Sequence, residues 1–417
     1  MRILLSAYAC EPGKGSEPGV GWHWAQEIGR LGHRVTVLTR SNNQTPIEAA
    51  LRQHPEPNLD FIYYDLPQWA RWWKRGGRGI RLYYVLWQWG AYRTAKALRR
   101  TLGFEQVHHI TFGGIHLPSF MGFLGVPFVF GPVGGGERTP PVLRKSFPTR
   151  GYLLELVRDV ANQMQKVNPL SRAIFKRSSL ILCKTSETAA CVPAKYRDKT
   201  RVQLEIGITG GYGGVPNAVS GAEPETLRAL YVGRLIYWKG LHLALRAFAE
   251  ARKTMPQMKM TVIGSGPDES WFHSLAQNLQ LESVVEWIPW MPQPEVLKNY
   301  SHHDVLLFPT LHDSSGNVVL EALSRRVPVI CLDLGGPGVI VDNSCGRVVG
   351  TAGKSEAEVV TGLSAALHQV ASHGERQVCR AGAQARAEEY RWDQVVRACY
   401  APQELAESQE RFAIHDC

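Results

Sequence analysis

With 417 residues the chain is long enough for two domains, each with a core of its own. A hydrophobic content of 44% with 20% charged residues is that of a soluble globular protein. No run of about 18 apolar residues occurs, which excludes a membrane-spanning helix. The net charge of +10 favours anionic partners: nucleotides, nucleic acid or an acidic membrane face. Eight cysteines stand singly, with no Cys-x-x-Cys pair, which argues against a zinc ribbon and predicts free thiols in a reducing, cytoplasmic setting. The first ten residues look superficially like a lipoprotein leader, but their apolar run is too short and they make a good first strand.

In chain order, Ile3 to Tyr8 reads as a buried strand. A Gly-rich loop from Cys10 to Gly21 follows, then a helix from about Trp22 to Leu31 and a second strand at Val35 to Leu38. The loop is neither a Gly-x-Gly-x-x-Gly fingerprint nor a Walker loop, and Arg40 stands where a dinucleotide fold would place an acid. Gly19 and Gly21 can let a backbone approach a ligand closely; the plainer alternative is an ordinary flexible loop.

Residues 66–104 hold Arg71, Lys74, Arg75, Arg78, Arg81, Arg93, Lys96, Arg99 and Arg100 and no acid. Interleaved with them are Trp69, Trp72, Trp73, Trp87 and Trp89, and Tyr83, Tyr84 and Tyr92. Basic and aromatic residues mixed on a helical segment match an interfacial membrane surface. Nucleic-acid binding is not expected, because no nucleic-acid motif accompanies them. A helical hairpin packing its tryptophans into a core is the bland alternative. Val107 to Ile110 and Val126 to Phe130 read as strands, the second running into a loop with Gly135 and Glu137. His109 and His116 are the nearby imidazoles. Residues 140–200 read as mostly helical, ending in a strand at Leu180 to Cys183.

A Gly-rich stretch at 206–221 is the best interdomain linker. Beyond it, Leu230 to Val232 is a strand entering Gly233-Arg234-Leu235-Ile236-Tyr237-Trp238-Lys239-Gly240, with a helix from Leu241. Arg234 offers a planar fork and Lys239 a point charge, a pairing that suits a diphosphate. Met260 to Ile263 leads into Gly264-Ser265-Gly266-Pro267, and Val284 to Ile288 into Pro289-Trp290-Met291-Pro292. Val305 to Phe308 is a strand, Leu311 to Gly316 a loop, Asn317 to Arg325 a helix and Val327 to Ile330 the next strand, after which Leu334-Gly335-Gly336-Pro337 closes another turn. Ser314 or Ser315 can cap that helix. Ser315, Gly316, Asn317 and Val318 surround its N-terminus, where free backbone N–H groups bind an anion at the carboxyl edge of a sheet. Asp313 lies in the loop and Glu321 about one turn inside the helix. Carboxylates accept bidentate hydrogen bonds from vicinal hydroxyls, so sugars on either side of a phosphate are natural ligands. The alternative is an acid satisfying the helix dipole and a helix-face glutamate.

These two stretches carry a resemblance. Asp313, seven residues, then Glu321-Ala322-Leu323 and Pro328-Val329 resemble the signature of retaining GT-B glycosyltransferases of the GT4 (glycosyl transferases group 1) type. Gly233, Arg234, Leu235, Lys239 and Gly240 match the same family's phosphate turn. Asp313 is one methylene shorter than the family's usual glutamate, and Gly131 and Pro132 stand where a functional histidine often follows a strand.

The resemblance implies an α/β GT-B fold of two Rossmann-like domains facing across a cleft. Residues 1–205 would be the acceptor domain, 222–385 the nucleotide-sugar domain and 386–417 a helix crossing back to the first. Donor contacts would come from Gly19, Gly21, Gly233, Arg234, Lys239, Gly264, Trp290, Met291, Asp313, Ser315 to Val318 and Glu321. Catalysis would rest on Asp313, Glu321, Arg234 and Lys239. Acceptor-side candidates are His109, His116, Gly135 and Glu137. The implied reaction moves a sugar from a UDP- or GDP-linked donor to a glycan or lipid-linked acceptor in bacterial polysaccharide or cell-surface glycan synthesis. No Asp-x-Asp occurs, so neither a metal nor any other cofactor is expected. The protein would be cytoplasmic, with peripheral contact to the inner face of the membrane through 66–104. Open alternatives are a nucleotide-sugar epimerase or sugar phosphate synthase on the same scaffold, a non-catalytic sugar-binding relative and a Rossmann dehydrogenase, the last disfavoured by the missing fingerprint.

Overall fold

The computed structural model describes residues 1–70, 79–209 and 226–400. The chain divides into two compact units. The first comprises Met1–Gly136, Asn162–Gly207 and the segment from Trp392; the second comprises Glu137–Ala161 and Ile208–Arg391.

Up to the described end of β7, the chain runs β1 (Arg2–Ser6), α1 (Ser16–Arg30), β2 (Arg34–Arg40), α2 (Gln44–Gln53), β3 (Leu59–Tyr64), α3 (Ile80–Leu102), β4 (Gln106–His109), β5 (Phe128–Val133), α4 (Thr149–Val167), α5 (Pro169–Arg177), β6 (Leu180–Cys183), α6 (Ser186–Ala190) and β7 (Thr200–Val202). The seven strands form one sheet in the order β3-β2-β1-β4-β5-β6-β7, every neighbouring pair parallel. Ile3, Leu4, Leu5, Val35, Val37 and Leu38 are buried, as consecutive positions must be when both faces of a parallel sheet are covered.

The chain continues β8 (Arg228–Val232), α7 (Leu241–Arg252), β9 (Lys259–Ile263), α8 (Glu269–Asn278), β10 (Val285–Ile288), α9 (Gln293–Tyr300), β11 (Val305–Phe308), α10 (Asn317–Ser324), β12 (Val329–Leu332), α11 (Gly335–Ile340), β13 (Gly346–Val349), α12 (Glu356–Ala371) and α13 (His373–Glu389). Its sheet has six strands in the order β10-β9-β8-β11-β12-β13, again all parallel. The last helix, α14 (Trp392–Tyr400), belongs to the first unit. There it packs on α1, with Trp392 stacked on His23 at 4.6 Å, and the Tyr400 hydroxyl lies 2.7 Å from His108 Nδ1.

Four expectations change. First, α1 starts at Ser16 rather than Trp22, so Gly19 and Gly21 lie inside the helix and are buried. A Cβ on Gly19 would run into the Lys14 carbonyl, and one on Gly21 into that of Ala9. These glycines let the helix sit against its own preceding loop, which is a packing reason rather than a ligand-approach one. Second, residues 137–161 join the second unit instead of the first, and the return to the first unit comes at Trp392 instead of 386. Third, residues 335–340 form α11 where a turn was expected. Fourth, residues 66–104 divide. Arg71, Trp72, Trp73, Lys74, Arg75 and Arg78 lie outside the described residues, as does the linker from 210. Within α3, Tyr83, Tyr84 and Trp87 are fully buried, and the Trp87 indole donates to the Tyr64 carbonyl at 2.9 Å. Leu82, Leu86 and Trp89 face solvent, with Arg81, Arg93 and Lys96 exposed beside them. The core alternative holds for the inner face of α3, and the outer face is exposed.

Candidate active site

The second unit's strand order reverses once. The chain runs outward from β8 to β10 and then returns to place β11 beside β8. The loops after β8 and β11 therefore leave the carboxyl edge side by side, which is where an open α/β sheet binds ligands. Hydrogen bonds join the two loops. The Leu311 N–H donates to the Trp238 carbonyl at 2.9 Å, and the Thr310 hydroxyl donates to the same carbonyl at 3.3 Å. Gly240 sits at φ +75°, where a Cβ would strike the Pro309 carbonyl. That contact explains the glycine of the Lys-Gly pair. Gly264 likewise packs against the Gly233 backbone.

Asp313 and Lys239 meet here. Lys239 Nζ lies 2.5 Å from Asp313 Oδ2, and Asp313 Oδ1 accepts from the backbone N–H groups of Ser315 at 3.2 Å and Gly316 at 3.3 Å. Burial pushes the Asp313 carboxyl up, but the Lys239 ammonium and those two N–H groups outweigh it and hold the group below the usual carboxylate range. Asp313 thus closes the turn before α10. The expected serine cap is absent: Gly316, at φ 83°, is the N-cap and no side chain caps the helix. The Gly316 and Val319 N–H groups are engaged, while those of Asn317 and Val318 meet no acceptor among the described residues. Arg234 is exposed and forms no ion pair with any described residue.

Glu321 stands one turn into α10. Its Oε1 accepts from Gln293 Nε2 at 2.8 Å, and its Oε2 lies 3.2 Å from the Tyr300 hydroxyl. Burial pushes this carboxyl up despite those two donors. Asn317 is exposed and Val318 half-buried on the same first turn. Trp290 is exposed beyond the carboxyl end of β10, while the Met291 thioether accepts from Asn299 Nδ2 at 3.2 Å.

Several site residues escaped sequence reasoning. Gly335, at φ 62°, would drive a Cβ into the Asp313 carbonyl, and the Gly336 N–H donates to that carbonyl at 2.7 Å. Glu155 of α4 is fully buried, with Oε1 3.0 Å from His312 Nε2 and 3.3 Å from the Tyr237 hydroxyl. The His312 ring stacks on Trp238 at 5.1 Å. Burial holds the His312 imidazole below its ordinary value, so its neutral form donates Nε2–H to the Glu155 carboxylate. Glu155 therefore anchors the residue next to Asp313 from 157 positions away in sequence. The adjacency of His312 to Asp313 is a signal, but nothing local points to its partner.

In the first unit, His109 is buried between the Tyr84 hydroxyl at 3.2 Å and Ser6 Oγ at 3.4 Å, and burial pushes its pKa down to about 3. It is a packed, neutral imidazole. His116 is half-buried, with Nε2 2.7 Å from Asn162 Oδ1 and 3.2 Å from the Gly135 carbonyl. Glu137 is buried and falls within the second unit, so it does not share a unit with the two histidines. The unit's own buried ion pair, unnoticed in sequence, joins Lys184 to Glu205 at 2.6 Å.

Residues 217–384 match the family model described as Glycosyl transferases group 1. A glycogen synthase of Mycobacterium tuberculosis is 30% identical over 172 residues, which cover 40% of this chain and 40% of that protein. The chain thus spans well under two thirds of this curated relative's length. Among solved structures, a sucrose-phosphate synthase from Thermosynechococcus elongatus superposes with a TM-score of 0.63 at 15% identity, covering 99% of both chains. HepE of Anabaena in complex with UDP superposes with a TM-score of 0.56 at 15% identity, covering 98% of this chain and 99% of that one. At such identities the likeness establishes the fold, and the two-domain GT-B class expected from the sequence holds. Within a chain of GT-B fold, residues 217–384 are thus similar to the glycosyl transferases group 1 family.

Proposed function

We propose that the chain is a retaining, metal-independent glycosyltransferase. It moves a sugar from a UDP- or GDP-linked donor to a glycan or lipid-linked acceptor in bacterial polysaccharide or cell-surface glycan synthesis. The observation that carries the reading is the convergence of Lys239, Arg234, Asp313 and the N-terminus of α10 on one sheet edge. Arg234 and Lys239 hold the diphosphate, and their charges stabilise it as the bond between its oxygen and the anomeric carbon breaks. Lys239 exchanges its ion pair with Asp313 for the entering phosphate, which leaves Asp313 to orient the sugar. Glu321, braced by Gln293 and Tyr300, accepts the ribose hydroxyls, and Trp290 with Met291 borders the base. The acceptor oxygen attacks the anomeric carbon from the leaving-group face, and its proton passes to the departing phosphate oxygen. The UDP bound to HepE supports a nucleoside diphosphate donor. The outward face of α3 supports peripheral contact with an anionic membrane that presents a lipid-linked acceptor.

The test is release of free nucleoside diphosphate from UDP- and GDP-sugars, with and without glycan or lipid acceptors, in the presence of EDTA. Acceptor-dependent release unaffected by EDTA is expected. Donor interconversion without an acceptor would instead favour an epimerase, and no turnover with any pairing a binding protein.

A further inference from the structure

The second unit holds a cavity of about 510 Å³ that the candidate active site does not use. Small-molecule sites run from about 300 to 1,000 Å³. The cavity lies toward the amino ends of β8, β9 and β10, whereas the loops bearing Lys239 and Asp313 leave the carboxyl ends of the same sheet. Topology opens it. β10 is the outer strand, and α9 carries the chain from it past β9 and β8 to β11. Thr261 and Glu286, register partners on β9 and β10, form the floor, and the end of α9 with His302 and His303 forms a wall.

Its charges suit an anion. Arg228 and Lys259 both line the cavity, are exposed and are register partners on neighbouring parallel strands. Like charges so placed repel. Neither side chain forms an ion pair with any described residue. Asp304 does not neutralise the Arg228 guanidinium: its Oδ2 accepts from the Arg228 backbone N–H at 3.0 Å and its Oδ1 from Arg380 at 2.9 Å. A phosphomonoester carries a charge of about −1.5 to −2 near neutral pH and three acceptor oxygens, which matches the pair; a carboxylate would cancel only one cation.

Along the floor the chemistry changes to hydroxyl recognition. His303 Nδ1 lies 2.8 Å from the Asn299 carbonyl, which can only accept, so the neutral ring carries its proton there. Burial favours that neutral form. Nε2 therefore accepts from the Thr261 hydroxyl at 3.0 Å, which spends the single Thr261 proton. Glu286 Oε2, 3.4 Å from that hydroxyl, is left with no donor among the described residues. A carboxylate in that state accepts from vicinal hydroxyls, and Val284 and Ile288 beside it offer apolar surface to the C–H face of a ring. We propose that this cavity binds a small phosphorylated sugar, with its phosphate on Arg228 and Lys259 and its hydroxyls on Glu286. The proposal is independent of the reaction proposed above.

Isothermal titration of the full chain with glucose 6-phosphate, glucose 1-phosphate and inorganic phosphate tests it. At least one of the two sugar phosphates should bind, and more tightly than inorganic phosphate. The Arg228→Ala, Lys259→Ala variant changes two exposed side chains and should weaken that binding at least about tenfold while its melting matches wild type. Glu286→Gln should weaken binding of the sugar phosphate and not that of inorganic phosphate. Arg234→Ala with Lys239→Ala should leave it unchanged, which separates the cavity from the candidate active site. Absence of binding by both sugar phosphates would overturn the proposal. So would binding that is lost in the Arg234, Lys239 variant and kept in the Arg228, Lys259 variant. Inorganic phosphate bound as tightly as the sugar phosphates would overturn the assignment of a sugar.

Discussion

Asp313 is held from three directions, and each hold has its own consequence. Lys239 and two backbone N–H groups fix its carboxylate, and Gly336 fixes its carbonyl. Its folded pKa lies below the ordinary value of about 3.9. The stability this contributes is therefore present above that pH and is lost as pH falls through the folded value. Urea denaturation of wild type and Asp313→Asn should differ most near neutral pH, and the two should converge as acidification carries the pH below the ordinary carboxylate value and through the lower folded one. A constant difference across that range would show that the carboxylate is not stabilised by its neighbours. Gly335→Ala forces a Cβ both into a left-handed backbone conformation and against the Asp313 carbonyl. A loss of about 1–3 kcal/mol in urea denaturation is expected. The reason some of these residues could be recognised in sequence is local. Lys239, Asp313 and Glu321 each sit in a short window whose strand, turn and helix are encoded by neighbouring residues. Glu155 could not be recognised, because its partners are set by tertiary packing. Gly335 looked like one more turn glycine because the carbonyl it must avoid belongs to another loop.

The elements show the same division. Buried strands such as β1 and β11 announce themselves as short apolar runs between turn residues. Helix starts do not: the chain enters α1 through Ser16, at φ 57°, and is already helical from Glu17, ahead of Trp22, its first aromatic residue. For α3, basic and aromatic composition did not reveal which aromatics turn inward; that is set by the helical repeat against the sheet. The two faces predict different phenotypes. Trp87→Ala empties a fully buried site and should cost about 3–5 kcal/mol of stability. Arg93→Glu with Lys96→Glu should leave thermal melting unchanged while reducing co-sedimentation with anionic vesicles by at least about tenfold, since each basic residue near such a surface contributes about 1 kcal/mol. The loss should shrink as salt is added. Equal vesicle binding by the charge-reversed and wild-type chains would remove α3 from any membrane contact.

For the molecule as a whole, the two parallel sheets were legible from the alternation of strands and helices, and the resemblance in residues 233–240 and 313–329 supplied the fold class. The division of the chain was less legible. Residues 137–161 cross to the second unit at a boundary inside α4, a continuous helix that no composition shift or Gly-Pro break marks. The return of the terminal helix was anticipated, and α14 secures it through Tyr400 on His108 and Gln203 Nε2 donating to the Val395 carbonyl at 2.7 Å. The central proposal concerns the second unit: that its β8 and β11 loops form a diphosphate site built on Arg234 and Lys239. The most direct measurement is the thermal shift produced by UDP, GDP, ADP and NAD on wild type and on the Arg234→Ala, Lys239→Ala variant. A ligand bound only by the folded chain raises its stability by about 2.7 kcal/mol at a hundred times its Kd. Stabilisation of wild type by UDP or GDP, abolished in the variant, is the predicted result. An equal shift in both proteins, or no shift with any nucleoside diphosphate, would contradict it.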